Sequence, residues 1–205
     1  MAQSHLVPGF RPSDDALHFP NSFPPGPTIR FGPLDPRIVG IGDASSGLCG
    51  GMCFFVRRRF ATGGPVPAMT TVPDNGSDLF QQLVREQVRS VRLGVVPMRF
   101  WRLASMNAAD RAARTRDREW PQIKRALDDN KLTAIGLIRV AATNPFKLTG
   151  NHQVLAYGYE IGDDGSIRVH VYDPNHPNKN DVWVPIGGPG KQSTGEPVLG
   201  VVALD

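Results

Sequence analysis

The stretch ASSGLCGGMCFFVRRRF, Ala44 to Phe60, holds both cysteines of the chain, Cys49 and Cys53, four residues apart among glycines. A thiol attacks or ligates only as thiolate, and the start of a helix favours that charge through its unpaired N–H groups and dipole. Cys49 falls where the loop DASSG gives way to an apolar run. It is therefore predicted at such a start, and backbone amides there are the expected donors to an oxyanion. The glycines at 47, 50 and 51 are expected to let a substrate approach the backbone closely. Cys53 stands one turn further on, beside Met52, Phe54, Phe55 and Val56, and is predicted to be a buried, neutral thiol.

A thiolate nucleophile needs a basic partner. His5 and His18 lie in a proline-rich N-terminal stretch, His170 alternates within IRVHVYD, and His176 follows a turn in DPNHP and is read as turn structure. His152 opens a strand, after TGN and before QVLAYGY, where a side chain projects from a sheet edge into a cleft. The base in turn needs an acceptor that fixes its tautomer. Asp173 ends the following strand, and an antiparallel hairpin of His152–Ile161 with Ile167–Asp173 brings those outer ends together. Asn175, two residues on, is the alternative orienter. Other uses of two thiols fit less well. The C-x3-C spacing lacks a second close pair of ligands, so no metal is expected. A disulfide between i and i+4 of a helix is geometrically poor. GGPGKQST departs from a phosphate loop at Pro185 and Gln192. No cofactor is expected.

The elements that must position these groups are legible in outline. Residues 1–36 contain FPNSFPPGP, and proline removes the N–H and fixes φ, so the stretch reads as an extended arm without regular structure, anchored by Phe10, Phe19, Phe23 and Phe31. Leu48 to Phe60 suits a helix. Ser77 is a plausible N-cap for a helix from Asp78 to about Val91. Helical spacing of Trp120, Ile123 and Leu127 extends a segment from Ala108 to Asp129, with a break expected near Pro121 and Asn130 as its cap. VVPMRFW fits either class. LTAIGLIRV, HQVLAYGYEI, SIRVHVYD, DVWVPI and VLGVVALD then read as strands, with GDDG as a hairpin turn. Helices first and an antiparallel strand series after is an α+β order.

The chain has 205 residues, a net charge of +4 and 20% charged residues, enough for one core and too mildly basic to imply nucleic acid. Its arginine runs, Arg57–Arg59 and Arg111 to Arg125, are read as solvated helix faces. No apolar run reaches the roughly 18 residues of a membrane span, and MAQSHLVPGFRPSDD lacks the pattern of a signal peptide. A cytoplasmic location is the default expectation, with export by a dedicated secretion route left open.

GLCGGM, followed far downstream by NHQVLAYGY and VYDPNHP, resembles the papain-like fold, with most likeness to the bacterial branch that includes bacteriocin-processing peptidases. The resemblance implies that residues 37–205 form a single papain-like domain. In it a cysteine opens the central helix, a histidine begins a strand, and an Asp or Asn follows on the next strand, the sheet being C-terminal and antiparallel. It further implies a cysteine hydrolase, a peptidase or amidase/deamidase, with Cys49, His152 and Asp173 as the triad and a peptide or protein as substrate. Papain-like proteases often place an oxyanion-binding glutamine six residues before the cysteine. Here Asp43 precedes Cys49 at that distance and Gly47 precedes Cys53, so Ser45, Ser46 or backbone N–H groups alone would substitute. The aromatic residue that usually follows the family's cysteine matches Phe54 after Cys53, which keeps Cys53 as the alternative nucleophile, whereas the helix-start argument favours Cys49. Two readings stand beside the enzyme: a papain-like binding module without turnover, and an effector or toxin domain acting on a host or competitor protein.

Overall fold

The computed structural model describes residues 2–24, 47–90, 95–141 and 150–204. The order of elements is β1 (Gln3–Leu6), α1 (Pro12–Asp15), α2 (Cys49–Ala61), α3 (Asp78–Ser90), α4 (Val95–Ala104), α5 (Ala108–Arg114), α6 (Trp120–Asp128), β2 (Thr133–Ile138), β3 (His152–Ile161), β4 (Ile167–Tyr172), β5 (Trp183–Ile186), β6 (Gly190–Lys191), β7 (Pro197–Val198) and β8 (Gly200–Ala203). Helices and an antiparallel sheet make an α+β fold. The sheet runs β5-β4-β3-β2-β8, β1 also pairs with β3, and β6 with β7 form a separate small hairpin. Among the described residues no helix is long and apolar enough to cross a membrane.

Burial explains the strand composition. Every residue of β2 is buried, as are His152 through Tyr159 of β3. A strand covered on both faces loses the polar alternation of a half-exposed one, which is why LTAIGLIRV reads as a nearly continuous apolar run. The first half of α2, from Gly50 to Val56, is likewise buried all round, the pattern of a helix inside a core.

The glycines of α2 act on packing rather than on substrate access, contrary to expectation. A Cβ at Gly51 would lie 2.3 Å from the Leu83 carbonyl oxygen, and one at Gly50 would lie 2.4 Å from Ser90 Oγ and 2.6 Å from Gln153 Oε1. Their missing side chains let α2 close onto the α3 backbone and the start of β3. The Ser77 hydroxyl accepts the Phe80 N–H at 3.3 Å, as an N-cap of α3 does.

The N-terminal arm is more regular than its prolines suggested. Residues 3–6 precede the first of them and form β1, paired antiparallel with β3 from Gln3↔Ile161 to Leu6↔Gly158. β2 covers β3 only from His152 to Ala156, so the rest of that edge has backbone groups to satisfy, and β1 satisfies them. Beyond it Phe10, Phe19 and Phe23 are buried, each contributing about 1.5–3 kcal/mol. Phe31 lies outside the described residues.

The segment from Ala108 to Asp128 is continuous. A π-helical turn, Thr115–Glu119, joins α5 to α6, and Pro121 sits in the first turn of α6. The N–H that proline lacks thus falls where the helical register changes. Asn130 ends the segment with φ at 57°. Arg111 departs from the solvated reading: it is buried and donates to the carbonyls of Ala104, Met106 and Leu199, closing the end of α4.

Candidate active site

Cys49 is the first residue of α2 and is half-buried. Leu48, at the N-cap, has no side chain able to cap. The helix start is instead satisfied from elsewhere. Asn21 Oδ1 accepts the Leu48 N–H at 2.6 Å, and Gln87 Oε1 accepts the Gly51 N–H at 2.7 Å. The backbone N–H groups of Gln153 and Gly50 turn to the Cys49 sulfur.

His152 opens β3, opposite Leu137 of β2. Its Nε2 lies 2.6 Å from Asp173 Oδ1, which leaves Nδ1 for the side-chain hydrogen bond with Cys49. Asp173 directly follows β4 and is buried. Its Oδ1 also accepts the Asn175 N–H at 2.8 Å. Its Oδ2 accepts from Gln192 Nε2 at 2.7 Å and faces Arg139 Nη2 at 3.7 Å. Gln192 is itself held, donating to Thr194 Oγ1 at 2.7 Å and accepting from Arg139 Nη2 at 3.1 Å.

These contacts set the protonation states. Burial opposes the charge on Asp173, but His152, Gln192 and the Asn175 N–H hold its carboxyl well below the usual carboxylate range. Burial alone would favour neutral His152; the charge and hydrogen bond of Asp173, together with Cys49, raise its pKa to about 9. Burial also disfavours ionised Cys49, yet the hydrogen bond and charge of His152, with the Gln153 and Gly50 amides, bring the thiol below its ordinary value. Such a pair carries thiolate and imidazolium together, and its titration belongs to the pair. Cys53 is the opposite case. It is fully buried, its thiol donates to the Gln153 carbonyl at 3.6 Å, and burial followed by the charges of Cys49 and Asp173 pushes its pKa far up. It stays neutral.

The fold thus brings Cys49, His152 and Asp173 into one array, with His152 and Asp173 adjacent as expected, though a bulge between Ala156 and Gly158 is what shifts the hairpin register so that both lie on one face. Asn175 does not orient the imidazole. Its side chain is exposed and accepts from Asn21 Nδ2 at 3.2 Å, while its backbone N–H serves Asp173. His170 pairs with Glu160 at 3.1 Å and His176 with Glu196 at 2.6 Å, so neither enters the array. Asp43, Ser45 and Ser46 lie outside the described residues. Among the described residues no group of three or more His, Cys, Asp or Glu is placed to hold a metal ion. Sequence reasoning missed Asn21, Gln87, Arg139 and Gln192, whose partners are remote in the chain. Gln192 was noticed only because it spoils a phosphate-loop pattern.

No protein-family model matches the chain, and no curated protein and no solved structure matches it.

Proposed function

We propose that this chain is a papain-like cysteine hydrolase that cleaves an amide or related acyl bond of a peptide or protein. The observation that carries the reading is the array itself: a half-buried thiol at a helix start, hydrogen-bonded to an imidazole whose far nitrogen lies 2.6 Å from a buried carboxylate. The Cys49 thiolate adds to the carbonyl carbon, and the carbonyl oxygen becomes an oxyanion. The Cys49 N–H, at the first helical position where an amide has no partner within the helix, is the group suited to receive it. The oxyanion collapses, the C–N bond breaks, and His152 gives its proton to the departing amine, leaving a thioester. Water then adds to the thioester as His152 takes its proton, and the adduct collapses with cleavage of the C–S bond, releasing the acid and restoring the Cys49 thiolate beside the His152 imidazolium. Asp173 fixes the tautomer throughout, and Gln192 and Arg139 hold Asp173.

The test is acylation by an activated ester followed by intact-mass measurement and peptide mapping. The expected result is an acyl group on Cys49, none on Cys53, turnover by wild type, and neither adduct nor turnover in Cys49→Ala. Acylation no faster than that of a free cysteine, with no turnover, would leave a binding module in place of an enzyme.

A further inference from the structure

The loop of contacts around the thiol closes through a residue of the N-terminal arm. Asn21 donates its own N–H to the Pro174 carbonyl at 2.9 Å. Its Oδ1 accepts the Leu48 N–H at 2.6 Å, one residue before Cys49, and its Nδ2 donates to Asn175 Oδ1 at 3.2 Å. Asn175 in turn donates its N–H to the Asp173 oxygen that holds His152. Gly47, with φ at 88°, makes room for this amide, because a Cβ there would lie 2.5 Å from Asn21 Nδ2. One side chain therefore ties the helix that presents the nucleophile to the turn that presents the carboxylate.

The arm around it is fixed independently. Ser13 exchanges hydrogen bonds with Asn180, and the His18 ring pairs with Asn178 at 2.7 Å. Phe19 and Phe23 are buried, with Phe23 5.9 Å from the Phe80 ring. The amide of Asn21 is thus delivered by a docked segment and has a donor for its oxygen and an acceptor for its nitrogen. A cap for α2 alone would need only the oxygen; the second contact, to the Asp173 turn, is what a spacer requires.

We propose that Asn21 is a positioning residue of the active site, setting the approach of Cys49 to the His152–Asp173 pair, and that the N-terminal arm is built into that site. The proposal rests on Cys49 and His152 working as a pair. The test measures the rate of reaction with a neutral disulfide probe against pH on the full chain, in wild type, Asn21→Ala, Asn175→Ala, His152→Ala and Asn21→Ala/His152→Ala. In wild-type background Asn21→Ala is expected to raise the pH of half-maximal reactivity by about one unit, a loss of ionisation that approaches roughly tenfold only below the wild-type midpoint. Asn175→Ala is expected to move it in the same direction by less. In His152→Ala background the Asn21 substitution is expected to change nothing, because there is no pair left to position. A uniform slowing at every pH in both backgrounds would make Asn21 merely structural and overturn the proposal, as would an unchanged profile. Should Asn21→Ala fail to fold, an unchanged profile in Asn175→Ala overturns it. Identical profiles in wild type and His152→Ala would instead remove the pair itself, and with it the reading of the site.

Discussion

Replacing His152 with alanine isolates what the imidazole does to the thiol. The substitution removes a hydrogen bond and a positive charge from Cys49 and leaves burial, which disfavours thiolate, against the Gln153 and Gly50 amides, which favour it. The thiol is then expected to return to at least its ordinary value near 8.5, about 3% ionised at pH 7. In the wild type the pair is ionised from the lowered Cys49 value up to about pH 9, where His152 loses its proton. Ionisation at pH 7 therefore falls in the variant, by at most about 30-fold. A second effect works the other way. The intrinsic nucleophilicity of a thiolate drops roughly threefold for each unit by which its pKa is lowered. The wild-type advantage at pH 7 is therefore smaller than 30-fold, and above about pH 9, where both thiols are ionised, the variant is the faster. Rates with a neutral disulfide probe from pH 5 to 10, with Cys49→Ala subtracting any contribution of Cys53, are expected to show a shallow wild-type profile crossed by a steep one. Two parallel profiles, or two identical ones, would refute the ion pair.

Two further outcomes test the surroundings of the array. While Cys49 is ionised and His152 is still protonated the wild-type pair holds one proton, as an unfolded chain does between about pH 6.5 and 8.5, so the pair leaves stability flat with pH where the two ranges overlap. In Cys49→Ser only the raised imidazole remains, whose stabilisation is full below about pH 6.5 and is lost as pH rises through its folded pKa, by up to about 1.4 kcal/mol per unit. Urea midpoints at pH 6.5 and 8 measure this, and a serine variant as flat as wild type would show that Asp173 does not hold the imidazole charged. Gly51→Ala puts a methyl group 2.3 Å from a backbone oxygen of α3. The overpacking is expected to cost about 1–3 kcal/mol, toward the upper end because the obstruction is backbone, so the urea midpoint should fall. An unchanged midpoint would mean that α2 and α3 separate freely.

The parts of the fold that local pattern specifies were legible. An apolar run marks α2, apolar spacing marks α3, and the GDDG turn fixes the β3–β4 hairpin, which brings His152 and Asp173 to the same end; the bulge between Ala156 and Gly158 that sets them on one face has no local signal. What was not legible depends on contacts across the chain. QSHL is too short and too polar to read as a strand; it becomes one because β2 leaves part of the β3 edge open. Arg111 sits within an arginine-rich run and looks solvated until the carbonyls of Ala104, Met106 and Leu199 are placed around it. Gly50 and Gly51 signal a close approach, but a sequence does not say to what, and the answer is α3 and Gln153 rather than a substrate. Asn21, Arg139 and Gln192 carry no local signature at all, since an amide or guanidinium near a carboxylate in space is featureless along the chain.

The way the array is gathered from distant parts of the chain also sets when the thiol acquires its character. Cys49 is synthesised early, whereas His152, Asp173 and Gln192, the groups that lower and hold its charge, are synthesised late. At ribosomal rates of 5–20 residues per second the interval from Cys49 to Gln192 is roughly 7–30 s. Throughout it the nascent chain carries an ordinary, weakly ionised thiol. Asn21, although made before the cysteine, has no Asn175 to bridge to until the hairpin has formed. Chemical competence arrives by assembly, so a ribosome-bound chain stalled before residue 152 should react with the disulfide probe as a free cysteine does.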